Sequence, residues 1–188
     1  MALALSLALA GCTGEGAATP TTTPTVSPST SPTPTPSPTP ETPQPPMRPE
    51  AMATNDEAGA VAAAQYFITD LYDYMFASGD VTEWSALSDD GCNFCNSILA
   101  KSQEMTASGE VAEADPSTVE ATEVVTLAEG SRYAVTITLH QGASRTLDRA
   151  GAVVGQSTAG RYSVNFAIMR AADWSILAVD ATPLTADS

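Results

Sequence analysis

The 188-residue chain carries 22 acidic side chains against 7 basic ones, a formal net charge of −15, with 43% hydrophobic residues, 3 cysteines and 1 histidine. With no run of Lys or Arg, nothing supplies clustered phosphate contacts, so nucleic-acid binding is excluded as a function. No Gly-rich loop followed by Lys is present to cradle a phosphate.

Met1 to Ala10 is almost pure Ala and Leu, and Leu9-Ala10-Gly11-Cys12 closes this run. It is too short to span a membrane, which takes about 20 apolar residues, and suits the apolar core of a signal peptide. The expectation is cleavage before Cys12 and a lipid on its sulfur, so that residues 1–11 are a leader. The chain would then be anchored to the outer face of a cell membrane, through membrane lipid at Cys12, without crossing it. No Lys or Arg precedes the apolar run, so the true start is expected upstream of Met1.

From Thr13 to about Glu50 the chain is Pro, Thr and Ser, and 12 of its 14 prolines fall here. Proline removes backbone donors and fixes φ, and with few apolar groups nothing offsets the entropy of ordering. Residues 12–50 are therefore expected as a lipidated cysteine and an extended, disordered stalk, at ~3.1 Å per residue. Its Thr and Ser also suit O-glycosylation.

Residues 51–188 suffice for one domain. Asn55-Asp56-Glu57 suits a helix start. Val61, Ala64, Ile68, Leu71, Tyr72 and Met75 then recur at helical spacing, with Phe67 and Tyr74 widening the stripe. Thr69, Asp70 and Asp73 fall opposite and are expected in solvent. Gly79 is placed to end the helix in a left-handed cap. A short helical piece over 81–87 is expected to anchor on Trp84. A further helix should run from Cys92 to Met105.

After Pro116 the period changes to 2. Residues 132–140 and 161–169 alternate as half-buried strands, 119–127 is a less regular strand, and 174–180 a fourth. The glycine-rich 142–160 reads as a loop or a distorted hairpin. Helices followed by an antiparallel meander give an α+β fold, with about three helices covering one face of a curved antiparallel sheet.

Two segments are more specific: Tyr-Met-Phe-Ala-Ser-Gly-Asp at 74–80 and Leu-Ser-Asp-Asp-Gly-Cys-Asn-Phe-Cys at 87–95. With the leader and stalk, this order resembles a family of uncharacterised actinobacterial lipoproteins, a domain of unknown function, over most of residues 51–182. The resemblance implies a cone-shaped NTF2-like fold and an envelope location. It implies no chemistry, because that fold hosts enzymes, carriers and interaction modules.

Cys92 and Cys95 are spaced for a disulfide across a first helical turn, and thiols outside the membrane oxidise. A structural disulfide is the leading expectation, worth about 2 kcal/mol for so short a loop. A redox dithiol would want a βαβ context that is missing here. A metal site would need two further ligands. His140, the one histidine, sits on a strand's polar face without a nucleophile motif. Tyr66, Tyr74, Trp84 and Tyr133 are candidates to border a ligand pocket, although aromatics at such spacing more often form the core.

From Glu50 to Glu129 there are 16 acids and one base, Lys101; from Gly130 onward, 4 acids and 5 arginines. An anionic helical layer over a mildly basic sheet is expected. These features favour a non-catalytic envelope module, taking a small apolar ligand or an envelope protein and needing no cofactor. A homodimer through Thr136, Thr138, Ser163 and Asn165 is compatible with it. An isomerase or hydratase using a cavity carboxylate, and a thiol-disulfide oxidoreductase, are the alternatives.

Overall fold

The computed structural model describes residues 43–128 and 131–185, which belong to one compact unit. The leader, Cys12 and the stalk up to residue 42 lie outside the described residues. A single 3-10 turn, Glu50–Ala53, precedes helix α1, Glu57–Tyr66. Asp56 caps α1 by accepting from Gly59 N at 2.9 Å, while Thr54 Oγ1 donates to the same carboxylate at 2.8 Å. The helix then passes through a π turn, Phe67–Leu71, into α2, Tyr72–Ser78. Gly79, at φ 75°, ends it in the left-handed cap its sequence suggests.

Helix α3, Thr82–Leu87, and helix α4, Asn93–Ser108, complete the helical layer. No helix among the described residues is long and apolar enough to cross a membrane. Strands β2 (Thr118–Ala128), β3 (Arg132–Gln141), β6 (Gly160–Arg170) and β7 (Trp174–Pro183) pair antiparallel in the order β2-β3-β6-β7. Tyr133, Val135, Ile137 and Leu139 of β3 face inward, opposite Ile168, Phe166, Val164 and Tyr162 of β6. This is the α+β arrangement expected, with the alternation read correctly on both central strands.

The sequence did not reveal a second sheet. Strands β1 (Val111–Ala114), β4 (Ser144–Leu147) and β5 (Val153–Ser157) pair antiparallel in the order β1-β4-β5. The glycine-rich stretch is therefore a hairpin with β1 added beside it, and Glu113 on β1 pairs with Arg145 on β4 at 2.9 Å.

Two tryptophans hold the core. Trp84 stacks on Phe67 with ring centroids 3.9 Å apart and donates from Nε1 to Cys95 O at 3.1 Å. Trp174 donates from Nε1 to Met52 O at 2.8 Å and packs on Tyr133 at 5.7 Å. Each buried indole thus keeps its polar atom satisfied while contributing its full apolar area.

Residues on the proline-rich side of the boundary drawn at 50 also lie against this domain. Tyr66 donates to Pro46 O at 3.1 Å, and Arg48 pairs with both Glu83 and Asp173. The compact body therefore includes residues 43–49.

Gly59 sits where α1 meets the turn before it and the face of Trp174. A Cβ there would fall 2.2 Å from Thr54 O and 2.8 Å from Trp174 Cζ2. Two of the three nearest atoms are backbone, so the helix start must move to admit it. Gly59→Ala is expected to cost roughly 1–3 kcal/mol, as overpacking does. Urea unfolding measures this directly, and an unchanged midpoint would mean that the 50–56 segment yields freely.

Candidate functional site

Where α2 passes beneath the small sheet, the domain leaves a cavity of ≈ 870 Å³. Asp70, Tyr72, Asp73 and Phe76 come from the π turn and α2, Lys101 and Met105 from α4, and Ala112 and Ser144 from the small sheet. Pro43, Gln44 and Pro46 close one side. Such a volume suits a small molecule.

The wall is held by its own packing. Tyr72 and Phe76, one helical turn apart, pack at 5.0 Å, and Tyr72 also meets the edge of Trp84 at 6.1 Å. The Tyr72 phenol lines the cavity beside Gln141, at the end of β3. Burial, with the nearby charge of Asp73, pushes that phenol upward. Tyr74, also on the wall, donates to Asp80 Oδ2 at 3.1 Å.

The carboxylates correct an expectation. Asp70 is exposed, but Asp73, read as solvent-facing, is half-buried on the cavity wall. Desolvation, and then the charge of Asp70, raise it from 3.8 to about 6. Desolvation raises Asp70 too. Among the described residues neither has a hydrogen-bonding or basic partner. Lys101 lines the cavity, but its ammonium pairs with Glu104 at 3.3 Å. Glu113 is paired with Arg145.

Of the four aromatic candidates, Tyr66, Trp84 and Tyr133 are buried in the core and Tyr74 lies on the cavity wall. The residues that sequence reasoning missed as cavity groups are Asp73, Tyr72 and Phe76. The aromatic pair carried a signal in its i, i+4 spacing. A second cavity, ≈ 190 Å³, lies between α4 and the large sheet, lined by Ile68, Phe94, Ile98, Leu139, Tyr162 and Val164.

Cys92 and Cys95 form a disulfide with Cα atoms 5.3 Å apart, and both residues are fully buried. Cys92 caps α4 by accepting from Cys95 N at 3.2 Å. Burial leaves no sulfur within reach of an attacking thiolate. Among the described residues no three His, Cys, Asp or Glu side chains gather as a metal site. His140 stands half-exposed opposite Arg161 and Thr118, away from the cavity. On the outer face of the sheet Thr136 and Asn165 hydrogen-bond across strands at 2.9 Å, in the same row as Glu123 and Asp180.

Residues 31–178 match the family of unknown function DUF6318. The chain belongs to that family. Among solved structures it is similar to the intermembrane space region of the chloroplast protein ARC6, at 14% identity and a TM-score of 0.52, over 70% of this chain and 98% of that one. This likeness shows the fold alone. A putative dehydratase of the NTF2-like family from Streptomyces avermitilis is also similar, at 14% identity and a TM-score of 0.45, over 69% of this chain and 98% of that one. At that score it carries nothing about chemistry. No curated protein matches the sequence. The DUF6318 chain thus has NTF2-like neighbours, as its helices and curved sheet lead one to expect.

Two measurements follow from this geometry. Because the folded-state value of Asp73 lies above its unfolded one, the native state holds the proton more tightly, and stability falls as pH rises from about 4 through about 6. Asp73→Asn should remove that part of the slope in melting temperature against pH; an unchanged slope would place the titration elsewhere. The buried disulfide should resist millimolar glutathione in the folded state, while Cys92→Ala with Cys95→Ala should lose about 2 kcal/mol in denaturant unfolding. Rapid reduction of the folded protein would contradict the burial argument.

Proposed function

We propose that this DUF6318 domain is a non-catalytic binding module of a bacterial cell envelope, held by a lipid on Cys12 and displayed on its Pro/Thr stalk. The observation that carries the binding reading is the ≈ 870 Å³ cavity with a preformed aromatic wall. A wall fixed by the packing of Tyr72 on Phe76 and Trp84 lowers the ordering cost a ligand would meet. The short apolar leader ending in Leu9-Ala10-Gly11-Cys12 supports the anchor. A stalk of this composition supports display away from the lipid surface.

One observation favours a second reading, the isomerase or hydratase. Asp73 is half-buried in the cavity and raised to about 6, which suits a general base near neutral pH. Such a base would take a proton from a carbon beside a carbonyl and return it at another position. The oxidoreductase reading loses support from the burial of both sulfurs.

Native mass spectrometry of the full chain extracted from its own membranes tests the proposal. The expected result is acyl mass that disappears in Cys12→Ser, and a retained ligand of a few hundred daltons that Ala112→Trp, filling the cavity, expels. An empty domain in both proteins would refute the binding reading. Deuterium uptake by the retained ligand in heavy water would favour the enzyme.

A further inference from the structure

The cavity described above has an unusual charge balance. Asp70 and Asp73, three residues apart where the π turn hands over to α2, both line it, and neither has a partner among the described residues. The other charged groups facing the cavity are already matched, Lys101 with Glu104 and Glu113 with Arg145. Two carboxylates on one wall, at least one half-buried, repel each other and lose solvation together. Tyr72 and Phe76, with ring centroids 5.0 Å apart, line the same cavity. Aromatic rings favour a cation over water when the site is partly desolvated. A metal ion fits poorly, since no third His, Cys, Asp or Glu joins the pair among the described residues.

We propose that the cavity takes a small organic cation, a protonated amine or quaternary ammonium, seated on Tyr72 and Phe76 with the Asp70 and Asp73 carboxylates as its counter-charge. The inference rests on the binding reading above and names its ligand class. The apolar part of the ligand lies toward Met105 and Pro46, which line the same cavity. The formal charge of −15 also draws cations toward the domain.

Binding should then weaken as Asp73 takes a proton. The titratable and charged groups facing Asp73 from the surrounding elements are Asp70, Tyr72, Tyr74, Lys101 and Glu113. Of the carboxylates among them, Asp73 alone is raised to about 6, so the affinity should drop through that value.

The test uses the full lipidated chain in detergent and two matched probe pairs, titrated by calorimetry. Choline is compared with 3,3-dimethylbutan-1-ol, and tyramine with its neutral alcohol tyrosol. Each cation is expected to bind at least about tenfold more tightly than its neutral partner. Asp73→Asn should erase most of that difference, while circular dichroism shows the fold retained; Tyr72→Leu should weaken the cations and spare the fold as well. Lowering pH from 7.5 to 5 should weaken the cations about tenfold in the wild type and little in Asp73→Asn. Neutral probes binding as tightly as the cations would overturn the inference and leave the cavity reading intact. Silence from all four probes at millimolar concentration would also overturn it, and the retained native mass would then decide the cavity reading alone.

Discussion

The whole domain depends on how closely the long helical segment 57–78 is pressed onto the sheet. Gly59 permits the approach at one end, where Trp174 fills the space a side chain would take. Midway along it Phe67 stacks on Trp84, whose indole nitrogen donates to the carbonyl of Cys95. Helix, tryptophan and the start of α4 therefore pack together: moving the helix would unstack Phe67 from the ring whose N–H is bonded to Cys95. Losing any of these leaves a cavity or an unsatisfied donor, both expensive in a close-packed interior. The 43–53 segment extends the same lock, since the carbonyl of Met52 accepts from both Trp174 and Arg170.

That rigidity explains how the domain tolerates an unfavourable feature at its open end. Asp70 and Asp73 contribute nothing to stability where they stand; desolvation raises both. Native proteins hold such groups only where the surrounding structure overdetermines the position. Here the π turn sits between two segments already fixed, and its irregular backbone delivers Asp70 to the cavity rim. π turns recur at functional sites for this reason: they spend helix regularity on side-chain placement.

The large sheet, the helix caps at Asp56 and Gly79 and the helical start at Cys92 were legible in the sequence, because each rests on local pattern. Alternation along 132–140 fixed which side chains of β3 face inward, and the structure agrees at every position from Tyr133 to Leu139. The small sheet was not legible. Its strands are only four or five residues long, too short for an alternating period to mark them. That omission propagated to the site. Judged from the helix alone, Asp73 lies opposite the apolar stripe and belongs in solvent. Long-range packing overrides this: β1 and β4 roof over α2, and Ala112, Glu113 and Ser144 share a cavity with Asp73. Tyr66, Trp84 and Tyr133 could not be separated from pocket residues by spacing, because core and cavity wall use the same aromatic stripe.

Tyr72 and Gln141 line both the larger cavity, which carries the two aspartates, and the smaller apolar one. The Tyr72 ring, packed on Phe76 and Trp84, is therefore common to both walls. On the far side Ile68, Phe94, Ile98 and Leu139 offer only apolar surface, whereas the near side presents carboxylates. The two linings differ in what they can match: a charged group is met by Asp70 and Asp73, an apolar group by the smaller cavity. Moving the Tyr72 ring would cost its packing on Phe76 and Trp84. The ring proposed to floor the cation site is thus also part of the apolar cavity's wall, so one aromatic side chain shapes both.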